Sequence, residues 1–189
     1  MVERRRGHIF LAISMEDVMR LEGSCHCGAV RFALDSATPY PYMRCHCTIC
    51  RKTAGGGGFA INLGAKAATL EVEGADNLTV YRARMDRPGN EADPEISDGQ
   101  RNFCRICGSA LWLYDPNWPD LVHPFASAID TPLPVPPEHV DLMLDFACSW
   151  EEAPEPDGKT RFARYPELSI EAWHRQHGLY DPLEPGSKG

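Results

Sequence analysis

Apolar and polar residues alternate in short runs along this chain, which predicts a structure built mainly from β-strands. Gly74 to Asn77 has turn chemistry and lies between two such runs, so 69–73 and 78–82 are expected to pair as a hairpin. The full set of predicted strands is 28–34, 59–63, 69–73, 78–82, 109–114, 123–129 and 142–147.

One helix is predicted, near the C-terminus. Ser169 is a candidate N-cap, Ile170 and Trp173 begin an apolar side, and Gly178 suits the position just past the helix end. We expect this helix to pack on the sheet or on a partner chain. Four prolines in 131–137 exclude a helix or central strand there and predict a loop.

The chain divides into four parts. Residues 1–20 are interpreted as a lead-in, 21–150 as the core domain, 151–180 as an extension that carries the helix, and 181–189 as a disordered tail. The acidic, proline-containing insertion 86–99 is interpreted as a mobile surface loop. Within the extension, 161–177 is expected to cap the site or to form a dimer contact, so a homo-oligomer is left open.

Charge excludes two classes of partner. With 19 basic and 27 acidic residues the net charge is −8, which argues against binding to nucleic acid or to an anionic membrane surface. No apolar run approaches the roughly 20 residues that a membrane helix needs. The chain is therefore expected to be soluble.

The clustering of the cysteines indicates a chemical role as well as a fold. Seven of the eight cysteines fall in three tight clusters, and Cys148 stands alone. Thiolates at such spacings converge on soft cations such as zinc. Pairs as close as Cys25 and Cys27 make strained disulfides, so the sequence predicts a metalloprotein of a reducing compartment, the cytoplasm. The clusters are Cys25/Cys27, Cys45/Cys47/Cys50 and Cys104/Cys107.

Spacing alone leaves the division of the seven sulfurs open. The central cluster offers three sulfurs within six residues, and the outer two clusters together offer four. One economical division gives a closed four-sulfur site and a central site with an open position, as in catalytic metal centres. The competing division closes the central site with His46, His26 or Cys148, which would make both metals structural.

Three motifs together resemble one family. They are Gly23-x-Cys-x-Cys-Gly28, Cys45-His-Cys-x-x-Cys-Arg51 and Phe103-Cys-x-x-Cys-Gly-Ser109, within roughly 21–150. Their order, spacing and flanking residues are similar to the glutathione-dependent formaldehyde-activating enzyme family, which also contains centromere protein V. The resemblance implies a small zinc-bearing β-tent domain of antiparallel strands with two zinc ions per chain. Cys25, Cys27, Cys104 and Cys107 match the structural ligands, and Cys45, Cys47 and Cys50 match the catalytic ones.

The resemblance also implies an activity, that of a carbon–sulfur lyase. Glutathione or a similar thiol would add to a small aldehyde such as formaldehyde. Arg44, Arg51 and Lys52 flank the central cluster and are candidates to hold the carboxylates of the thiol. The alternative is a non-catalytic zinc module for protein interaction, with both metals structural.

Overall fold

Three small β-sheets and two short helices make up the described part of the protein. The computed structural model describes residues 18–36, 39–85, 95–136 and 138–178. The strands are β1 Met19–Ser24, β2 Arg31–Ser36, β3 Tyr42–Cys45, β4 Ala60–Asn62, β5 Ala65–Lys66, β6 Glu71–Glu73, β7 Leu78–Arg84, β8 Ile96–Cys104, β9 Ala110–Tyr114, β10 Leu121–Pro124 and β11 His139–Leu142. The helices are α1 Thr48–Thr53 and α2 Ile170–Gln176. The mainly β fold class and the C-terminal helix are thus confirmed.

The first sheet has the order β1-β2-β6 and is antiparallel. Its inward residues include Leu21 and Leu34, which lie opposite each other and are fully buried. The second sheet, β5-β10-β9-β8-β7, is antiparallel throughout. Phe32 of the first sheet packs on Trp112 of the second with ring centroids 5.1 Å apart, so the two sheets share the larger core.

The predicted hairpin of 69–73 with 78–82 is wrong. β6 pairs with β2, whereas β7 pairs with β8. Gly74 adopts a left-handed conformation and a 3₁₀ turn follows at Ala75–Asn77, which directs the chain from the first sheet into the second. The alternating pattern identified two strands, but burial of Val72 beside Phe32 determined the partner.

The third sheet, β11-β3-β4, contains the one parallel pair among the described strands. β3 and β11 run side by side in register, with Leu142 opposite Cys45. The expected strand 142–147 is therefore wrong in position, because β11 ends at Leu142 and Met143 turns at a φ of 63°. A 3₁₀ turn at Leu144–Phe146 follows.

Two other predictions, one of a strand and one of a loop, differ at their ends. The strand expected at 123–129 runs over Leu121–Pro124 and gives way to a 3₁₀ turn at Ala126–Ala128. The acidic insertion is shorter than expected, because β8 already begins at Ile96. Arg82 donates to the Ser97 carbonyl at 2.8 Å and to Asp98 at 2.7 Å, which holds this part of β8 on β7.

Several expectations fall outside the described residues: most of the lead-in, 86–94 of the insertion, and the tail. The proline-rich loop is confirmed for 131–136, which has no regular structure. Neither described helix is long or apolar enough to cross a membrane.

The C-terminal extension packs on the domain. Ser169 caps α2 by accepting from the Ala172 amide at 3.1 Å, as predicted. Trp173 packs against the larger core, and His174 Nε2 lies 2.5 Å from the Tyr40 carbonyl. Before the helix, 160–164 runs alongside β11 and bonds to it repeatedly, so the third sheet gains an outer segment from the extension.

Candidate metal centres

Four cysteine sulfurs meet where the first sheet approaches the second. The Sγ atoms of this outer set all lie within 4.8 Å of one another, and they belong to Cys25, Cys27, Cys104 and Cys107. Cys27 Sγ lies 3.5 Å from Cys25 Sγ and 3.8 Å from Cys104 Sγ. Zinc–sulfur bonds of about 2.3 Å at tetrahedral angles separate sulfurs by about 3.8 Å, so the outer set fits zinc.

Two similar turns aim these sulfurs. The Cys25 amide donates to the Val30 carbonyl and the Cys104 amide to the Ser109 carbonyl, each at 3.0 Å and each to the fifth residue on. Gly28 and Gly108 complete the turns at φ of 73° and 75°, where any other residue would be strained. One turn joins β1 to β2 and the other joins β8 to β9, so the outer set links two sheets.

The central set lies between β3 and α1. Cys45 ends β3, Cys47 is the N-cap of α1, and Cys50 lies within α1. Their Sγ atoms also lie within 4.8 Å of one another, and Cys47 Sγ accepts from the Cys50 amide at 3.3 Å. The sequence did not predict α1, which has only six residues and one buried side chain.

The thiols of the central set polarise each other. Hydrogen bonds from Cys45 and then Cys50 hold the pKa of Cys47 well below its ordinary value. The matching bond to Cys47 raises the pKa of Cys45. A thiolate in this set is thus stabilised by the neighbouring thiols, and an anionic sulfur is the form that binds a soft cation.

No fourth protein ligand joins the central set among the residues that the structure describes. Cys148 is buried but outside the set. His46 is buried and turned elsewhere: its Nε2 lies 2.9 Å from Asp141 Oδ1, and its Nδ1 lies 3.2 Å from a Glu151 carboxylate oxygen. His26 is exposed beside the outer set.

The three basic side chains predicted to bind the thiol lie in two different places. Arg44 donates to Asp141 at 2.6 Å and lies over the ring of Phe59, so it belongs to the polar network around His46. Arg51 and Lys52 line an open cleft of about 690 Å³. Ala54 and Ala110 line the same cleft and pack against the central set, so the cleft borders that set without being lined by its cysteines.

Sequence reasoning missed the network around His46. Asp141 is almost fully buried and lies on β11, far from the cysteines in sequence. Burial alone raises the pKa of Asp141, but hydrogen bonds from His46 and Arg44 hold it below its usual range. Its sequence context, between the apolar residues Val140 and Leu142, was the available signal for a buried carboxylate.

Two comparisons with known proteins, one with protein families and one with curated proteins, give the same family. Residues 20–142 match the family described as glutathione-dependent formaldehyde-activating enzyme. A curated protein from Halomonas elongata, named "Putative glutathione-dependent formaldehyde-activating enzyme", is 55% identical over 161 residues, which cover 85% of this chain and 98% of that protein. A crystal structure of a Rhodobacter sphaeroides protein is 28% identical, with a TM-score of 0.45, and covers 61% of this chain and 92% of its own.

Proposed function

The chain belongs to the glutathione-dependent formaldehyde-activating enzyme family, and from that premise we propose that it adds a thiol, glutathione or a similar one, to a small aldehyde such as formaldehyde. In this proposal the chain is a zinc-dependent enzyme of the carbon–sulfur lyase type. The observation that carries it is a three-sulfur set, with two cysteines buried and one half-buried, that has no fourth protein ligand among the described residues.

The proposal gives the two cysteine sets different roles. Zinc held by Cys25, Cys27, Cys104 and Cys107 is structural, because these residues link two sheets through a complete set of four sulfurs. Zinc held by Cys45, Cys47 and Cys50 is catalytic, which makes two zinc ions per chain. Bound there, zinc favours the anionic form of a thiol and so lowers its pKa.

The reaction balances without an oxidant or a reductant. The thiol gives up its proton, and the sulfur electron pair forms a new bond to the aldehyde carbon. The π pair of the carbonyl moves to oxygen, which then takes a proton to give the S-hydroxyalkyl product. Holding sulfur and carbonyl together in a site that this chain shapes supplies part of the rate.

Arg51 and Lys52 are assigned to the carboxylates of the thiol. Both line the cleft beside the central set, and Arg51 Nε is buried there without a hydrogen-bond partner. Gly55 and Gly56 line the same cleft, where the lack of side chains allows a ligand to approach the backbone. Arg44 is engaged by Asp141 and has a positioning role instead.

The alternative, a non-catalytic zinc module, requires a fourth protein ligand at the central set. Among the described residues none offers an atom to it. The reaction is assigned to the cytoplasm, since all eight cysteines are free and thiols persist where the compartment is reducing. A net charge of −8 continues to argue against nucleic acid as a partner.

A cobalt-substituted sample tests this function. We expect glutathione to change the visible absorption of one cobalt site and leave the other unchanged, since only the central set has room for a further sulfur. Cys50→Ser should abolish that response, while Cys148→Ser should preserve it. A spectrum that ignores glutathione in the wild-type chain would overturn the enzyme assignment.

A further inference from the structure

A buried arginine near the central set has no counter-ion within the part of the chain that the structure describes. Arg101 on β8 is only 6% exposed, and its Nε and Nη1 atoms are buried without a hydrogen-bond partner. Arg44 and Arg82, by contrast, each form an ion pair, with Asp141 and with Asp98 respectively. Leaving a buried cation unpaired is strongly unfavourable, so a ligand is the expected partner.

Strand geometry places Arg101 on the side of β8 that faces the central set. Side chains alternate along a strand, and the neighbouring Gln100 and Asn102 line a separate cavity on the opposite face. Arg101 lies opposite Leu113 of β9, and Leu113 packs against the central cysteines. Gly99, on the same face as Arg101, adds no side chain: a Cβ there would lie 3.6 Å from Arg101 Nη1.

Electrostatic interactions agree with this placement. Arg101 interacts with the Cys50 thiol and with the phenol of Tyr165, a side chain that is itself 73% exposed. The three central thiols act on the same phenol, so the guanidinium, the thiols and the phenol share one neighbourhood.

We propose that Arg101 is the anion-binding group of the central site and that it takes an oxygen anion carried by the small carbonyl substrate. This inference rests on the proposed function for the identity of the substrate. Such an oxygen anion has two sources. One is the oxyanion that forms when a thiol adds to a carbonyl, and the other is a carboxylate that the aldehyde already carries, as in glyoxylate.

The sulfurs themselves do not satisfy the guanidinium. A zinc ion with three thiolates carries a net charge of −1, which attracts Arg101 from a distance. Yet neither Nε nor Nη1 reaches any sulfur as a hydrogen-bond donor. A guanidinium presents its donors in a plane that matches oxygen anions, so a small oxygen anion between Arg101 and the cysteines completes the arrangement.

In the addition step Arg101 provides charge rather than a proton. When the carbon–sulfur bond forms, the carbonyl π pair becomes a full negative charge on oxygen. Arg101 N–H groups donate to that oxygen and remain protonated, because a guanidinium does not lose its proton near neutral pH. The oxygen then takes its proton from solvent, and Arg101 is unchanged at the end of the cycle.

Calorimetric titration with formate tests the site without any reaction. The zinc-loaded full chain should bind formate saturably, and Arg101→Met should weaken that binding at least tenfold. Arg101→Lys keeps the charge but not the planar fork, so it should weaken binding less than Arg101→Met does. Arg82→Met, on the neighbouring strand, is the matched control and should bind formate as the wild type does. Zinc content and near-ultraviolet circular dichroism establish that each variant is folded.

Two results would overturn the proposal. One is equal formate affinity in Arg101→Met and wild type, and the other is no formate binding by the wild type. If Arg101→Met does not fold, unchanged formate affinity in Arg101→Lys is the overturning result. Formate binding is independent of thiol–aldehyde condensation, so a chain that binds formate through Arg101 but condenses nothing would refute the proposed function alone.

Kinetics with two aldehydes separate the two sources of the anion. If the oxyanion is the ligand, Arg101→Met lowers kcat with both formaldehyde and glyoxylate. If a substrate carboxylate is the ligand, the same variant raises KM for glyoxylate and leaves formaldehyde unaffected. Unchanged kinetics with both aldehydes would contradict the assignment of Arg101.

Discussion

The His46 imidazole lies 2.9 Å from the Asp141 carboxylate, although 95 residues separate the two in the chain. His46 stands between two cysteines of the central set, yet its ring bonds to β11 and to Glu151 instead of pointing toward the sulfurs. The Cys45–Cys47 turn is therefore held in place through His46 by the carboxylates of Asp141 and Glu151, which are buried or nearly buried.

Removing the His46 ring should loosen the central set. We expect His46→Ala to weaken zinc binding at one of the two sites by about tenfold, because outer partners that orient ligands typically contribute that much. Competition with a chromophoric chelator measures it. His26→Ala is the matched control, since His26 also lies between two cysteines but is exposed. Equal losses in the two variants would contradict the positioning role of His46.

Breaking the buried ion pair should cost stability in a pH-dependent way. Asp141→Asn leaves Arg44 without its partner, and we expect a loss of about 3–5 kcal/mol in the free energy of unfolding at pH 7. The pKa of Asp141 is lower in the folded state, so its contribution is present above the unfolded value of about 3.9 and is lost as pH falls through the folded value. The difference between wild type and variant should therefore shrink in acid.

Urea unfolding at several pH values measures this difference. Asp145→Asn is a suitable control, because the Asp145–Arg164 pair is exposed on both sides and should contribute no more than about 1 kcal/mol. A penalty for Asp141→Asn that stays constant down to pH 3 would show that the carboxylate charge is not its source.

The two cysteine sets should respond differently to loss of one sulfur. Cys104→Ser removes a ligand from the set that links two sheets, and structural zinc contributes free energy comparable with the whole stability of a domain. We expect that variant to unfold or to lose at least about 15 °C in Tm. Cys50→Ser should abolish activity with a much smaller change in Tm. Calorimetry with metal analysis would detect the opposite order, which would reverse the assigned roles.

Loss of Arg51 should affect thiol binding rather than chemistry. Arg51→Met should raise KM for glutathione by about tenfold with little change in kcat, because a charge-assisted hydrogen bond contributes about 1.5–3 kcal/mol. Arg105→Met removes an exposed arginine outside the cleft and serves as the control. A fall in kcat at constant KM would move Arg51 from binding to catalysis.

Truncation after Trp150 should destabilise the domain. It removes Glu151 from His46 and deletes 160–164, whose carbonyls accept from the amides of Asp141, Met143, Leu144 and Asp145. We expect a lower Tm and weaker zinc binding at the central set. Truncation after Gly178 controls for shortening alone. If the two truncated chains have the same Tm, the extension has no structural role at the site.

The cysteine sets were predictable because their spacing is local. Within each outer turn the two cysteines lie close together in the sequence. A glycine in the left-handed conformation follows them, Gly28 in one turn and Gly108 in the other, so a local motif identifies the turn. The sulfurs meet in a group of four and a group of three, and the structural and catalytic roles of the two groups stay a prediction. Strands β2, β6 and β7 were likewise visible as alternation.

What sequence could not supply were contacts between distant segments. The parallel pairing of β3 with β11 brings Asp141 to His46, and no local pattern encodes that register. β8 was missed because it carries polar residues at buried positions, Arg101 and Asn102 among them. The same property that hid the strand marks Arg101 as a binding residue.

The pairing of Cys45 with Leu142 has a consequence for how the protein is made. At about 5–20 residues per second, a ribosome adds Leu142 roughly 5–20 s after Cys45. Throughout that interval the three central cysteines are already part of the nascent chain, but the strand that supports Cys45 does not yet exist. The central set therefore reaches its final surroundings only after β11 has been made, in the second half of translation.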